Sequence, residues 1–352
     1  MVNLYIASLE PAGKTAVCAS IGRKMIAKGK KVGFFIPVHI SENSEMDGYK
    51  DVTFMKETLG LQDSPEKIAP FSLSVQELWE GLTDDSGEFI QQVKKACASI
   101  AKGKDVVIMK GLSGVSTDNV STLACYKFVE SMNAKAILVM RYSANLNPSK
   151  IARVVDELGK RLLGIIISFV PESKLNIIRK SMTALFSEAG VNVLGVFPEV
   201  RTLLGMTVNE LAEALEGELL TCRENTGELV ENVMAGAMTI DSGIDYFSRK
   251  ANKAVIVSGE RSDMQMAALE TATRCLVLTN NIRPIDAVIY QAQNKNIPVM
   301  MVKKDTAGTI ADVERALTRS SFNSPQKLKK FEEIIDKDLD FGAIYSALGL
   351  GT

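Results

Sequence analysis

At 352 residues the chain is too long for one ordinary hydrophobic core and predicts two domains. Its 41 Lys and Arg balance 42 Asp and Glu, which leaves no basic field for nucleic acid and no acidic tail. A single histidine, His39, excludes a histidine-based metal site or a Ser-His-Asp triad within one chain, and no apolar run nears the ~20 residues that span a bilayer.

The chain enters an apolar strand at 4–7 and then Ser8-Leu9-Glu10-Pro11-Ala12-Gly13-Lys14-Thr15, followed by a helical pattern over 16–27. That order is strand, phosphate loop, helix, with Gly-Lys-Thr in the Walker A place and Ser8 where the first glycine usually stands. Such a loop turns backbone N–H groups, those around Ala12 and Gly13 included, and a helix N-terminus onto a phosphate chain. Lys14 is expected to reach the β/γ-phosphates of ATP or another nucleotide, and the Thr15 hydroxyl to face Mg²⁺.

Further strands are expected at 31–35, 105–109, 136–140, 163–169 and 193–197, and helices at 88–101, 119–132, 148–158 and 173–189. Gly190 fits the C′ place of the last helix. The alternation predicts an α/β fold, a parallel sheet with helices on both faces. Between Pro37 and Asp85 the pattern is irregular, broken by Pro65 and Pro70, and this long insertion is expected to carry binding loops near the site. His39 could face the nucleotide but reads first as an ordinary loop or core residue, and Trp79 as packing of a small helix with Leu78 and Leu82.

After Pro198 the composition shifts. Thr207-Val208-Asn209-Glu210 forms a capping box, and a second, smaller α/β pattern follows. Its strands are expected at 233–238, 254–258, 275–279 and 299–302, its helices at 242–248, 263–271, 284–294 and 309–318. Domains are thus expected over 1–205 and 206–320, with a helical tail over 321–352 that starts Ser324-Pro325. Leu328, Phe331, Ile334, Ile335 and Leu339 give that tail an apolar face, which must bury on the second domain or on another subunit. With the methionines of the second domain it suggests a homo-oligomer. The scattered Cys18, Cys97, Cys125, Cys222 and Cys275 read as buried thiols, and the absence of a cationic-then-apolar leader points to a soluble cytoplasmic protein.

A P-loop enzyme needs an acidic residue at the end of a neighbouring strand to hold Mg²⁺. After Val106-Val107-Ile108-Met109 that place holds Lys110. At ~4 Å and an effective dielectric near ~20, exchanging an attractive unit charge for a repulsive one shifts the interaction by several kcal/mol. Lys110 is therefore expected to repel the metal and to attract phosphate, unless Glu10, Glu42 or Asp47 supplies the missing carboxylate. In the second domain, Glu260-Arg261-Ser262-Asp263 lies between a strand and a helix, where α/β sheets bind ligands. Arg261 offers a planar fork for a carboxylate or phosphate, Ser262 or Asp263 a helix cap, and Asp305 an equivalent loop. Pairing of Arg261 with Glu260 or Asp241 is the plainer alternative.

The phosphate loop, Val32-Gly33-Phe34-Phe35-Ile36-Pro37, Asp105-Val106-Val107-Ile108-Met109-Lys110-Gly111, Leu163-Gly164-Ile165-Ile166-Ile167-Ser168 and Val193-Leu194-Gly195-Val196-Phe197-Pro198-Glu199 together resemble a dethiobiotin-synthetase-like P-loop domain. Gly259-Glu260-Arg261-Ser262-Asp263 and Lys304-Asp305-Thr306 extend the likeness to a DRTGG domain. In this order the pair resembles the N-terminal regulatory half of long phosphate acetyltransferases, without the acetyltransferase catalytic domain. The family's lysine after the second strand is Ile36 here, its glutamate Lys110, its adenine-reading asparagine Ser168 and its first loop glycine Ser8. Leu9 also lacks the extra lysine of the partitioning ATPases.

The resemblance therefore implies a stand-alone nucleotide- or phosphometabolite-binding regulatory protein with weak or no ATPase or ligase activity. A ligase or slow ATPase of the dethiobiotin synthetase type, and an assembly module with a vestigial P-loop, are the alternatives. A partner enzyme of acetyl-phosphate metabolism is implied with it.

Overall fold

The computed structural model describes residues 1–41, 46–113, 119–236, 243–318, 322 and 324–351. The expectations on Glu42, Gly114, Met238, Asp241 and Ser242, and on the side chain of Asp47, lie outside what is described. The chain forms two units, Met1–Glu199 with Phe322–Thr352, and Val200–Ser321.

The first unit begins with β1 (Val2–Ser8), buried from Asn3 onward because it lies in the middle of a sheet covered on both faces. It continues with α1 (Lys14–Ala27), β2 (Val32–Phe35), β3 (His39–Ile40), α2 (Met46–Leu59), α3 (Pro65–Ile68) and β4 (Ser72–Leu73). Next come α4 (Val75–Thr83), α5 (Glu88–Ile100), β5 (Val106–Ser113), α6 (Val120–Ser131) and β6 (Lys135–Arg141). A short 3₁₀ turn, Pro148–Ile151, leads into α7 (Ala152–Leu158), then β7 (Leu162–Val170), α8 (Leu175–Glu188) and β8 (Val193–Pro198). The six long strands are all parallel, in the order β2-β5-β1-β6-β7-β8. All six predicted strands of this unit are present. Gly190 takes φ 73° after α8, and Val191 N–H reaches back to the Phe186 carbonyl at 2.9 Å, closing the helix as expected.

The stretch between Pro37 and Asp85 is more regular than its sequence suggested. α2 fills fourteen residues of it, with Val52, Met55 and Leu59 buried at helical spacing. α4 carries a full Ser74–Glu77 capping box and buries Leu78 and Leu82, while Trp79, expected to pack, is 48 % exposed.

The C-terminal helices α15 (Pro325–Asp338) and α16 (Phe341–Ala347) belong to this first unit. Ser324 is the N-cap and Pro325 opens α15, as the sequence indicated. The apolar face of α15 packs on α1 and β8, with Phe331 edge-on to Phe197 at 5.5 Å between ring centroids. The face expected to await the second domain or another subunit is thus covered within the first unit, and it gives no argument for an oligomer.

The second unit contains α9 (Arg201–Leu204), β9 (Met206–Thr207), α10 (Val208–Ala214), β10 (Glu218–Leu219), β11 (Leu229–Val230) and β12 (Asn232–Gly236). After these follow α11 (Gly243–Ser248), β13 (Lys253–Ser258), α12 (Ser262–Leu269), β14 (Thr273–Thr279), α13 (Asp286–Asn294), β15 (Val299–Met301) and α14 (Thr306–Thr318). Its sheet runs β10-β15-β14-β13-β12, with only β10 antiparallel. Alternation along β13 sends Ala254 and Ile256 into a core with Val208, Leu211 and Val313, and Val255 and Val257 into another with Phe247, Met264 and Leu269. The Thr207–Glu210 capping box opens α10 as predicted.

Candidate functional site

The loop between β1 and α1 ends on Gly13, the N-cap of α1, at φ 87°. A Cβ there would touch nothing, so the left-handed backbone and not space is what asks for glycine. Gly13 brings no side chain of its own to cap α1, whose first turn offers main-chain donors and the positive end of the helix dipole to an anion.

Two departures from the family pattern brace this loop. Ser8, fully buried at the end of β1, accepts a hydrogen bond from Lys14 Nζ at 2.8 Å, which a glycine could not do. The Ser168 hydroxyl, also buried, lies 3.1 Å from the carbonyls of both Ala12 and Met140, and so ties the loop to β6 and β7. Where the synthetase pattern reads a base, this chain holds its own backbone.

Lys14 is only 7 % exposed. Burial, then the neighbouring Lys110 charge, pull its pKa down to about 7, against weaker support from Cys18 and Asp51. The Cys18 thiol behind it is pushed up to about 12 by burial.

Asp51 is the residue that sequence reasoning missed. It projects from α2, where its Oδ1 accepts a hydrogen bond from Thr15 Oγ1 at 3.3 Å and its Oδ2 is ion-paired with Lys110 Nζ. The signal was present in Val52, Met55 and Leu59, whose spacing makes 46–59 a helix and gives Asp51 a fixed place on it. Glu10, the described alternative to Lys110, has no such contact with Thr15 or Lys110.

Lys14, Asp51 and Lys110 line one cavity of about 410 Å³. Ile36, Val38, Val75, Leu112 and Val120 make its apolar wall, and His39, for which the sequence left a place facing the nucleotide as the lesser alternative, lines it too. Gly111 beside Lys110 is required by packing, since a Cβ there would lie 2.4 Å from the ring of buried Tyr5. Among the described residues, no cluster of His, Cys, Asp and Glu could hold a metal by itself. No helix among them is long and apolar enough to cross a membrane.

In the second unit the predicted charges satisfy one another. Arg261 grips Asp263 with two prongs, Nε to Oδ1 at 2.9 Å and Nη2 to Oδ2 at 2.7 Å, and not Glu260. Arg261 is itself the N-cap residue of α12, its side chain turned to Asp263 and not onto the first-turn N–H groups, so Ser262 and Asp263 lie inside the helix. Asp305 accepts from Gly308 N–H at 2.8 Å and so caps the first turn of α14. Asn280 joins the two loops, with its side chain on Ser258 Oγ at 3.2 Å and its N–H on the Lys304 carbonyl at 2.9 Å.

Comparison with known proteins agrees with this division. Residues 3–207 match the AAA domain family and residues 210–316 the DRTGG domain family. The phosphate acetyltransferase of Nitratidesulfovibrio vulgaris (strain Hildenborough) is 23 % identical over 98 % of this chain and 51 % of its own length. The chain thus spans about half the length of that relative. The ATP-dependent dethiobiotin synthetase of Methanococcus vannielii is 24 % identical over 52 % of this chain and 87 % of its own. Among solved structures, the MinC:MinD cell division protein complex of Aquifex aeolicus has a TM-score of 0.36 at 16 % identity, over 58 % of this chain and 84 % of that one. The chain belongs to the AAA domain family, in its dethiobiotin-synthetase-like P-loop form, and carries a DRTGG domain behind it.

Proposed function

We propose that this protein binds a nucleotide or a small phosphorylated metabolite at the β1–α1 loop and acts as a regulatory sensor, with weak or no phosphoryl-transfer activity. The observation that carries the reading is the first turn of α1, opened by left-handed Gly13, with buried Lys14 lining a cavity beside it. Main-chain N–H groups of that turn would hold the phosphate, and Lys14 and Lys110 would supply charge. The relation to phosphate acetyltransferase makes an enzyme of acetyl-phosphate metabolism the natural partner for such a sensor. Calorimetric titration with ATP, ADP, GTP and acetyl-CoA tests it. Binding of one of them that disappears in Lys14→Ala supports the reading, and silence towards all four removes it.

Asp51 favours a second reading, a slow ATPase or ligase, because it brings a carboxylate to Thr15. Mg²⁺-dependent phosphate release that vanishes in Lys14→Ala is the outcome that would favour the enzyme.

A further inference from the structure

In a P-loop site the divalent ion is held between the loop hydroxyl and a strand-end carboxylate. The corresponding pair here is Thr15 Oγ1 and Lys110 Nζ, an oxygen and an ammonium. Among the described residues, Asp51 brings a carboxylate to this pair, with its Oδ1 on Thr15 and its Oδ2 on Lys110. Mg²⁺ takes about six oxygens at close to 2.0–2.1 Å and gives up its water reluctantly. A metal at Thr15 would have to share that carboxylate with a cation already attached to it. The donor set of the described residues does not suit Mg²⁺. It suits a positive charge that is part of the chain.

We infer that the cavity takes its phosphorylated ligand as a free anion, without a divalent ion, the Lys110 ammonium standing in the ion's place. The inference rests on the P-loop reading above and narrows its ligand to uncomplexed phosphates, such as pyrophosphate, an acyl phosphate or a metal-free nucleotide. Asp51 is the resting counter-charge. It holds the Thr15 hydroxyl and Lys110 together, and Asp51 and Lys110 themselves line the cavity. On entry of the ligand, phosphate oxygens replace the Asp51 oxygens on Lys110 and Thr15. The loop is already built for this exchange, since Ser8 and Ser168 hold Lys14 and Ala12 from within. Mg²⁺ in solution then opposes binding, because it claims the same phosphate oxygens.

The test is calorimetric titration of the full chain with pyrophosphate and with ATP, once in EDTA and once in excess Mg²⁺. Affinity in EDTA is expected to equal or exceed that in Mg²⁺. Lys110→Met is expected to lose roughly tenfold in EDTA, and Lys110→Glu to lose more and to recover when Mg²⁺ is added. Asp51→Asn is expected to gain severalfold in EDTA by freeing Lys110. Wild-type binding that Mg²⁺ strengthens tenfold or more overturns the inference and leaves the P-loop reading standing, as does a folded Lys110→Met chain that binds like the wild type in EDTA. No binding in either condition, from a chain with a cooperative melting transition, overturns both.

Discussion

At the carboxyl end of the first parallel sheet the paired charges line a cavity, whereas at the carboxyl end of the second they brace their own loops and helices. Lys14, Lys110 and Asp51 line a cavity of about 410 Å³, and the helix that starts there has a left-handed glycine as its N-cap. In the second unit Arg261 is gripped by Asp263, Asp305 caps α14, and Lys304 and Arg315 share Asp312. Both ends have the strand-to-helix loops that ligands use in α/β folds. The difference lies in what the paired groups line, since Lys110 and Asp51 are paired just as Arg261 and Asp263 are. A pair that turns back on its own helix is a structural closure, and a pair over a cavity is the candidate site.

The largest effect that would sharpen this contrast comes from Lys14. Lys14→Ala removes a buried ammonium that makes charge-assisted bonds to phosphate, and is expected to weaken pyrophosphate or ATP roughly a hundredfold. Calorimetry reads the loss directly. An unchanged affinity would place the anion elsewhere and cancel the contrast.

Acidity gives the next effect. The Lys14 pKa is pulled down to about 7 by burial and by Lys110, and a phosphate beside it must raise that value. The bound form then holds a proton that the free form has lost, so Lys14 takes up a proton as the ligand binds above about pH 7. Affinity is expected to be flat below that pH and to fall by up to about tenfold per unit above it. Titrations in two buffers of different ionisation enthalpy count the proton. A pH-independent affinity between 6 and 9, on the order of the range where lysine is half titrated here, contradicts the placement of Lys14 on the phosphate.

Much of the first unit was legible because its strands are unbroken apolar runs and its loop a fixed spacing of Gly13, Lys14 and Thr15. What was not legible is the partner of Lys110. Asp51 lies in a segment where Pro65 and Pro70 drew attention away from the Val52, Met55 and Leu59 period, and a carboxylate 59 positions from its lysine leaves no local mark. In the second unit the residues were found but their use was not. A sequence shows that Arg261 and Asp263 are near each other, yet not that the arginine turns back on the helix instead of outward. The burial of the C-terminal helix was equally clear from its period, while its destination on α1 and β8 needed the structure.

Lys253 is an exception to the matched charges of the second unit, at the other end of its sheet. It opens β13, is fully buried, and its Nζ has no hydrogen-bond partner among the described residues. Burial lowers its pKa to about 8, below its value in an unfolded chain. The unfolded state therefore binds more protons between about pH 8 and 10.4, and stability rises with pH through that window. Lys253→Met keeps the chain length and removes the ammonium. It is expected to raise the melting midpoint at neutral pH by roughly 2–4 °C and to flatten the rise above pH 8. A lower midpoint would mean that the amine has a partner the contrast overlooks.

The smallest effect is the most pointed one, because it concerns the residue that looked most like a ligand group. Arg261 pairs with an aspartate two positions away, on a side chain 37 % exposed, and such pairs contribute little to stability. Removing it leaves Asp263 in the first turn of α12, where the helix dipole favours a negative charge and the backbone N–H of Met264 still lowers its pKa. Arg261→Ala is therefore expected to keep its melting midpoint within about 2 °C of the wild type and its phosphate affinity unchanged. If Arg261→Ala instead weakens pyrophosphate as much as Lys14→Ala does, the Arg261–Asp263 pair opens for an anion, and the matched end of the second sheet is a site after all.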